Sequence, residues 1–435
     1  MNSRAKATFV GFGFGPIQAG LFLTEACRSG HFERLVVAYR RPEVIAAVRR
    51  AGGMVAVNVA HTEGIDRLAI GPLEMFDVGV ELDRDEIVRA VAEAGEIATA
   101  LSSIRDYVSP AAGSVHHLLA RGLLEKLKVG GPRVLIYSAE NHPHAAEVLA
   151  AAVAEEIPTA RREAAMARAS FLNTVIAKMS GTVHDPGQIA EQGLAIIAVG
   201  VERAFLVEAF DDILVSRIGE EFSFRRGLSS FREQEDLKPF EEAKLYGHNA
   251  VHALLAYLGM VLGVTAIAEL QEIPGILDFA RSAYLQEAGA ALIRRYSGID
   301  PLFTEEGFRA YGDDLLARMM NPHLRDTVAR VGRDIPRKLA WSDRLVGTMR
   351  LVLSEGLIPL HFALGTAAAL AALQREDDAE TFLTGLWSEE PRDPQEEGRV
   401  LELIRAGIED LKAWRESGFA PLESWFAAKH SNGTP

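Results

Sequence analysis

At 435 residues the chain is long enough for two or three domains and buries a large core without needing a disulfide or metal staple. Its composition, 48% hydrophobic and 24% charged, is that of a soluble globular protein. A net charge of −14 argues against general binding to nucleic-acid phosphates, and the single cysteine, Cys27, excludes a disulfide framework and a cysteine-rich zinc site.

The N-terminal MNSRAKATFVGFG runs directly into a strand, without the apolar stretch and cleavage site of a signal peptide. With the lone cysteine, this predicts a cytoplasmic protein. Strands are expected at ATFVGF (7–12), LVVAY (35–39), IYSAE (136–140) and AIIAVG (195–200). Alanine-rich helices lie between several of them, among them IVRAVAEAGEIATALSS (87–103). That alternation implies βαβ units and a mostly parallel sheet. After about residue 222 strand signals nearly vanish and Ala/Leu-rich helices dominate, with a boundary expected in the polar stretch 224–242. Two uncharged runs, 253–268 and 357–373, read as buried helices; the first is short of a membrane span and the second contains Pro359 and His361.

The segment VGFGFGPIQAG (10–20) follows the first strand and opens a helix. Gly13 and Gly15 match the first two glycines of a dinucleotide-binding turn: one for the bend, one for close approach of a pyrophosphate to the helix start. Pro16, Ile17 and Gln18 complete the cradle, although Gln18 occupies the place of the third glycine; Gly20 is a candidate for close helix–strand packing. Such turns also occur for structural reasons, but the setting in an alternating β/α domain favours a cofactor. The second strand then ends in Tyr39, Arg40 and Arg41, where a NAD-binding unit carries an acid. Two guanidiniums there suit a 2′-phosphate, so NADP(H) is expected over NAD(H); the alternative is a solvated loop. The expected architecture is an α/β Rossmann-type NADP-binding domain (1–222) followed by an all-α catalytic and substrate domain (223–435).

KLYGHNAVHALLAYLG (244–259) places polar residues in an apolar helix. On a wheel of about 100° per residue, with Lys244 at zero, His248, His252 and Asn249 fall near 40°, 80° and 140°, on one side. A lysine held out of water there has its pKa lowered towards neutrality, which suits a general base for an alcohol proton. Asn249 offers an amide to a developing alkoxide, and His252 can orient the reacting oxygen. Each of these residues taken singly also fits a satisfied core position or a lysine reaching for solvent.

The pattern Lys244-x4-Asn249-x2-His252 followed by AYLG resembles the polyol-specific long-chain dehydrogenases, the mannitol dehydrogenase family. The resemblance extends to FGFGPIQAGLF, AEN (139–141), FLNTVIAKM (171–179) and RMMNPHLRDTVARVGRDIPRKLAWSDRL (318–345). It implies a metal-independent NAD(P)-dependent enzyme in which Lys244 is the base, Asn249 and Asn173 stabilise the alkoxide, and His252 binds substrate. Asn141 falls near the cofactor, and Arg330 and Lys338 match positions that reach the polyol. Departures lie at Ala177-Lys178, where the family usually carries Asp-Arg, and at HPHA (142–145); Lys178 remains a candidate substrate contact. His142 and His144 lack a matching third ligand for a metal.

Arg330, Arg333, Arg337, Lys338 and Arg344 concentrate positive charge and suit a phosphate, or equally a carboxylate; a basic surface paired with Asp326, Asp334 and Asp343 is the plain alternative. The favoured substrate pair is mannitol 1-phosphate and fructose 6-phosphate, with an unphosphorylated hexitol, a cyclitol or a keto-uronate as the alternative. A non-catalytic NADP-binding sensor is the reading from another class. Partners are expected to be small molecules only, with no nucleic acid or membrane, the chain being a monomer or small homo-oligomer.

Overall fold

The computed structural model describes residues 7–222 and 226–431 and divides into two compact units, Met1–Lys238 and Pro239–Pro435. The first unit is an α/β domain of Rossmann type. Its strands are β1 (Ala7–Phe12), β2 (Phe32–Tyr39), β3 (Val55–Ala60), β4 (Ile65–Ile70), β5 (Leu73–Asp77) and β6 (Ala94–Thr99). They continue as β7 (Val134–Ser138), β8 (Ala169–Ile176), β9 (Ser180–Val183), β10 (Ala204–Glu208), β11 (Ile213–Ser216) and β12 (Arg232–Gln234).

The larger sheet has the order β12-β11-β8-β7-β6-β1-β2-β5, and its pairs are parallel except β11 with β8. The inner stretches of β1 (Phe9–Phe12) and β2 (Leu35–Ala38) are apolar and buried because both faces are covered there. Phe9 and Val37 join the core beneath helices Thr24–Ser29 and Pro42–Arg50, while Val10 and Val36 join the core beneath helices Glu81–Glu93 and Val115–Val129. A smaller sheet, β4-β3-β10-β9, packs against the helix that leaves β1.

Two expectations are corrected. Residues 94–99 of the stretch expected as one helix form β6, which is buried between β1 and β7; the pairing of a central strand overrides the helical preference of alanine. AIIAVG is a turn rather than a strand: Gly200 has φ +90°, Ala198 bridges Val201, and Asn58 ties down Ala195 through both its amide oxygen and nitrogen. Residues 226–238 belong with the first unit because β12 pairs with β11 and the buried Glu96 carboxylate accepts from the Gly227 and Leu228 amides.

In the second unit all regular structure is helical apart from one isolated bridge, Ala266 with Thr327, among the described residues. Helices Asn249–Leu262 and Leu360–Ala372 are apolar nearly all round and form its centre. No helix of the described residues is long and apolar enough to cross a membrane.

Candidate active site

The order β5-β2-β1-β6-β7-β8 reverses direction at β1, and nucleotides bind at such switch points, outside the carboxyl ends of the strands. A cavity of about 780 Å³ opens there. The chain leaves β1 at Gly13, where φ is +89° and a built Cβ would lie 2.5 Å from the Ala100 carbonyl oxygen. Glycine at 13 is therefore a requirement of the fold. Gly15 lines the cavity, yet apart from its chain neighbours no atom of the described residues lies within 4 Å of a built Cβ. The protein itself makes no demand for glycine at 15, whereas a pyrophosphate against the backbone does.

Pro16, Ile17 and Gln18 line the same cavity. Gln18 is fully buried, and neither atom of its amide has a hydrogen-bond partner among the described residues. Leaving a buried polar group unpaired costs about 1–3 kcal/mol, so this residue fits a site that receives a polar ligand. The close packing expected of the third glycine has moved to Gly20, whose built Cβ would meet Val207 at 2.5 Å.

At the end of β2, Tyr39, Arg40 and Arg41 border the cavity. Arg40 is largely exposed and reaches Asp106 at 4.0 Å, a loose pairing. Arg41 immediately precedes helix Pro42–Arg50. Sequence reasoning missed Arg84, which lines the same cavity and donates to the carbonyls of Val78 and Gly79 at 3.2 and 2.9 Å. Its local sequence, ELDRDE, looks like an ordinary solvated helix face.

Beyond β7, the buried Glu140 carboxylate accepts from Thr99 Oγ1 (2.9 Å), the Leu101 amide (2.8 Å) and the Tyr107 hydroxyl. Burial raises its pKa against those bonds, and the network ties together the segments that follow β6 and β7. Asn141, His142 and His144 follow in an exposed turn, with His142 Nδ1 accepting from the His144 amide. Asn173, in β8, accepts from the Ala146 amide and donates one amide N–H to Glu147, both at 2.8 Å. The other N–H is what it has to offer an oxygen. Lys178 is buried with its ammonium on the Phe210 carbonyl (2.7 Å) and Asp211 (2.9 Å). Burial lowers its pKa and Asp211 opposes that shift.

In the second unit a wide turn, Ala243–His248, precedes helix Asn249–Leu262. Such a turn accommodates one extra residue and recurs at functional sites. The straight helical wheel is therefore corrected: Lys244 is rotated relative to Asn249 and His252. Desolvation brings the Lys244 ammonium down from 10.5 to about 8, with Glu241 opposing and Arg344 assisting. Burial, with His252, Arg318 and Lys244 nearby, holds His248 well below the ordinary imidazole value. Its ring lies 6.3 Å from that of His252, and its Nδ1 has no hydrogen-bond partner among the described residues. Asn249 is half-buried at the first position of the helix.

Asp326 joins two of the expected site residues. His252 Nε2 stands 3.4 Å from Oδ2, and Arg330 forms a bidentate fork at 2.6 and 2.5 Å. Burial would raise the Asp326 pKa, but His252 and Arg330 outweigh it and hold the carboxyl below its usual value. Lys338 donates to the carbonyls of Val331 and Arg333, and burial together with Arg344 brings it to about 8. Arg337 pairs with Asp334, and Arg344 with Asp343. Arg333 is exposed, and none of these carboxylates forms an ion pair with it.

Residues 236–397 match the family model of the mannitol dehydrogenase C-terminal domain. The mannitol-1-phosphate 5-dehydrogenase of Brevibacillus brevis is 32% identical over 314 residues, covering 71% of this chain and 74% of that protein. The enzyme of the same name from Bacillus licheniformis is 28% identical over 363 residues, covering 82% and 86%. Among solved structures, substrate-free D-sorbitol dehydrogenase aligns with a TM-score of 0.72 at 15% identity, covering 95% of this chain and 94% of that one. Pseudomonas fluorescens mannitol 2-dehydrogenase, in ternary complex with NAD and D-mannitol, aligns with a TM-score of 0.69 at 16% identity, covering 100% and 96%. On these likenesses, the chain belongs to the mannitol dehydrogenase family.

Proposed function

We propose that the chain is an NADP(H)-preferring dehydrogenase interconverting a sugar alcohol and its ketose, with mannitol 1-phosphate and fructose 6-phosphate as the favoured pair. The observation that carries this reading is Lys244. Its ammonium is brought to about 8, on a wide turn directly before Asn249 and His252. A base is most effective when its pKa lies near the working pH.

A bound nicotinamide would supply the hydride acceptor for the alcohol carbon, or the donor for the ketone. Neutral Lys244 takes the hydroxyl proton, and in reduction the protonated lysine gives it back. Asn249 donates its amide to the oxygen as charge builds, the role the family resemblance also gives to Asn173. His252, held beside Asp326, orients that oxygen. Gly13, Gly15, Pro16, Ile17 and Gln18 cradle the pyrophosphate, with Asn141 in the nicotinamide-side loop. Arg40 and Arg41 bind the 2′-phosphate, and Arg84 adds a third cation lining the same cavity.

The names of the relatives support a phosphorylated substrate. Arg330 and Lys338 address the polyol, Lys178 remains a candidate contact, and Arg333, which has no carboxylate partner among the described residues, is the cation best placed to take the phosphate. A keto-uronate carboxylate would suit the same cations, which keeps that class as the second reading. Partners are small molecules, with the chain acting as a monomer or small homo-oligomer.

The test follows NADPH and NADH oxidation with fructose 6-phosphate, fructose and keto-uronates. Turnover of fructose 6-phosphate with NADPH at a lower KM than NADH supports the proposal. Turnover of fructose or a keto-uronate alone moves the substrate to the second reading. NADPH binding with no turnover across the panel overturns the enzyme assignment.

A further inference from the structure

We propose that His116, His117 and Glu156 form a binding site for one divalent transition-metal cation, zinc by preference, separate from the residues assigned to hydride transfer. The histidines begin helix Val115–Val129, and Glu156 ends helix Ala145–Glu156, within the first unit. The three ligand atoms all lie within 4.8 Å of one another. His117 Nδ1 is 2.9 Å from Glu156 Oε2, and His116 Nε2 is 3.7 Å from Oε1. Tetrahedral zinc, with bonds of about 2.0–2.1 Å to nitrogen and oxygen, holds its donors about 3.3 Å apart, inside the 4.8 Å within which these ligand atoms lie.

The hydrogen bonds around His116 make the stronger argument. Ser114 Oγ donates its only proton to the Tyr107 carbonyl at 2.9 Å and accepts from the Ser109 amide at 3.1 Å. His116 Nδ1 lies 2.7 Å from the same Oγ, so with the hydroxyl proton on the Tyr107 carbonyl the imidazole donates there. In the neutral ring with its proton on Nδ1, the Nε2 lone pair is directed at the Glu156 carboxylate, two acceptors facing one another. A cation between them resolves that opposition. Fixing one ring nitrogen by a hydrogen bond is also how a ligating imidazole is oriented. Two imidazoles and one carboxylate suit zinc, and the partly exposed His117 and Glu156 leave a side for a water as fourth ligand. The ordinary competitor is a His116 imidazolium paired with Glu156.

A cation here ties the start of one helix to the end of the other. Ser114 and Val115 line the nucleotide cavity, so the tie steadies one wall of it. Its role is structural.

The test titrates the full-length, chelator-treated chain with zinc chloride by calorimetry, with melting curves taken alongside. One equivalent of zinc should bind and raise the Tm. Glu156→Gln and His117→Ala should each weaken binding at least about 100-fold, and Ser114→Ala about 10- to 100-fold. The double variant His142→Ala/His144→Ala should bind as the parent does. Melting of each variant without zinc verifies folding, and Glu156→Gln keeps the side-chain shape at a partly exposed position. Absence of saturable binding at millimolar zinc would overturn the proposal, as would unchanged isotherms in Glu156→Gln and His117→Ala. Loss of binding in the His142/His144 variant would assign the zinc to that exposed turn and overturn it equally.

Discussion

The glycine turn of the first unit and the polar helix of the second depart from ordinary packing in opposite ways. Between β1 and its helix, side chains are withheld: Gly13 because the fold has no room, Gly15 where the protein leaves room. Around Lys244, side chains are added: an ammonium, an amide and two imidazoles sit where a helix centre would take Leu and Ala. Withholding atoms makes a surface that a ligand completes. Adding polar groups shifts their protonation, which is useful for chemistry. The first device is expected to fail in binding, the second in turnover.

The largest effect should come from the second device. Lys244→Ala should lower kcat by about 10²–10⁴-fold while NADPH still binds, measured by steady-state kinetics with fluorescence titration of the cofactor. Near-parental turnover would remove the base from Lys244.

The next prediction contrasts His361 with His248 in the same unit. Burial alone would lower the His361 pKa, but bonds to Glu287 and Glu423 outweigh it and raise it from 6.5 to about 9. A pKa raised on folding stabilises the native state fully below the unfolded value, near 6.5, and that contribution is lost as pH rises through about 9. The shift corresponds to about 3 kcal/mol as an order of magnitude. Denaturant unfolding of His361→Phe should therefore differ from the parent most at pH 6 and least at pH 10; a constant difference would contradict the imidazolium.

Arg40→Ala with Arg41→Ala should weaken NADPH about 10- to 100-fold and leave NADH almost unchanged, since a 2′-phosphate is what the guanidiniums read. Equal losses would sink the NADP(H) preference. The smallest effect separates the two glycines. Gly13→Ala should destabilise the fold by about 1–3 kcal/mol through strain at positive φ. Gly15→Ala should melt within about 0.5 kcal/mol of the parent and lose cofactor affinity instead. Equal melting losses would erase the distinction between a fold glycine and a ligand glycine.

These contrasts also explain what was legible in the sequence. β1 and β2 could be read because sheets covered on both faces give continuous apolar runs, and the glycine turn because its spacing is local. β6 could not: AGEIAT carries helix-favouring alanine, and only its partners β1 and β7 make it a strand. Lys244, Asn249 and His252 could be proposed as a set from sequence, but not the wide turn that rotates Lys244, since helix periodicity contains no sign of an inserted residue. Asp326 lies 74 residues from His252, as 326 minus 252 gives, and Arg84 follows a different strand from Arg40; such pairings are made by the fold alone.

The most direct test of the account is the pH dependence of kcat/KM for polyol oxidation by the parent enzyme. With Lys244 as a base near 8, the value should climb about tenfold per pH unit below that point and level off above it, while ketose reduction falls above the same point. A profile flat across this range, or one still rising towards the ordinary lysine value of 10.5, would contradict it.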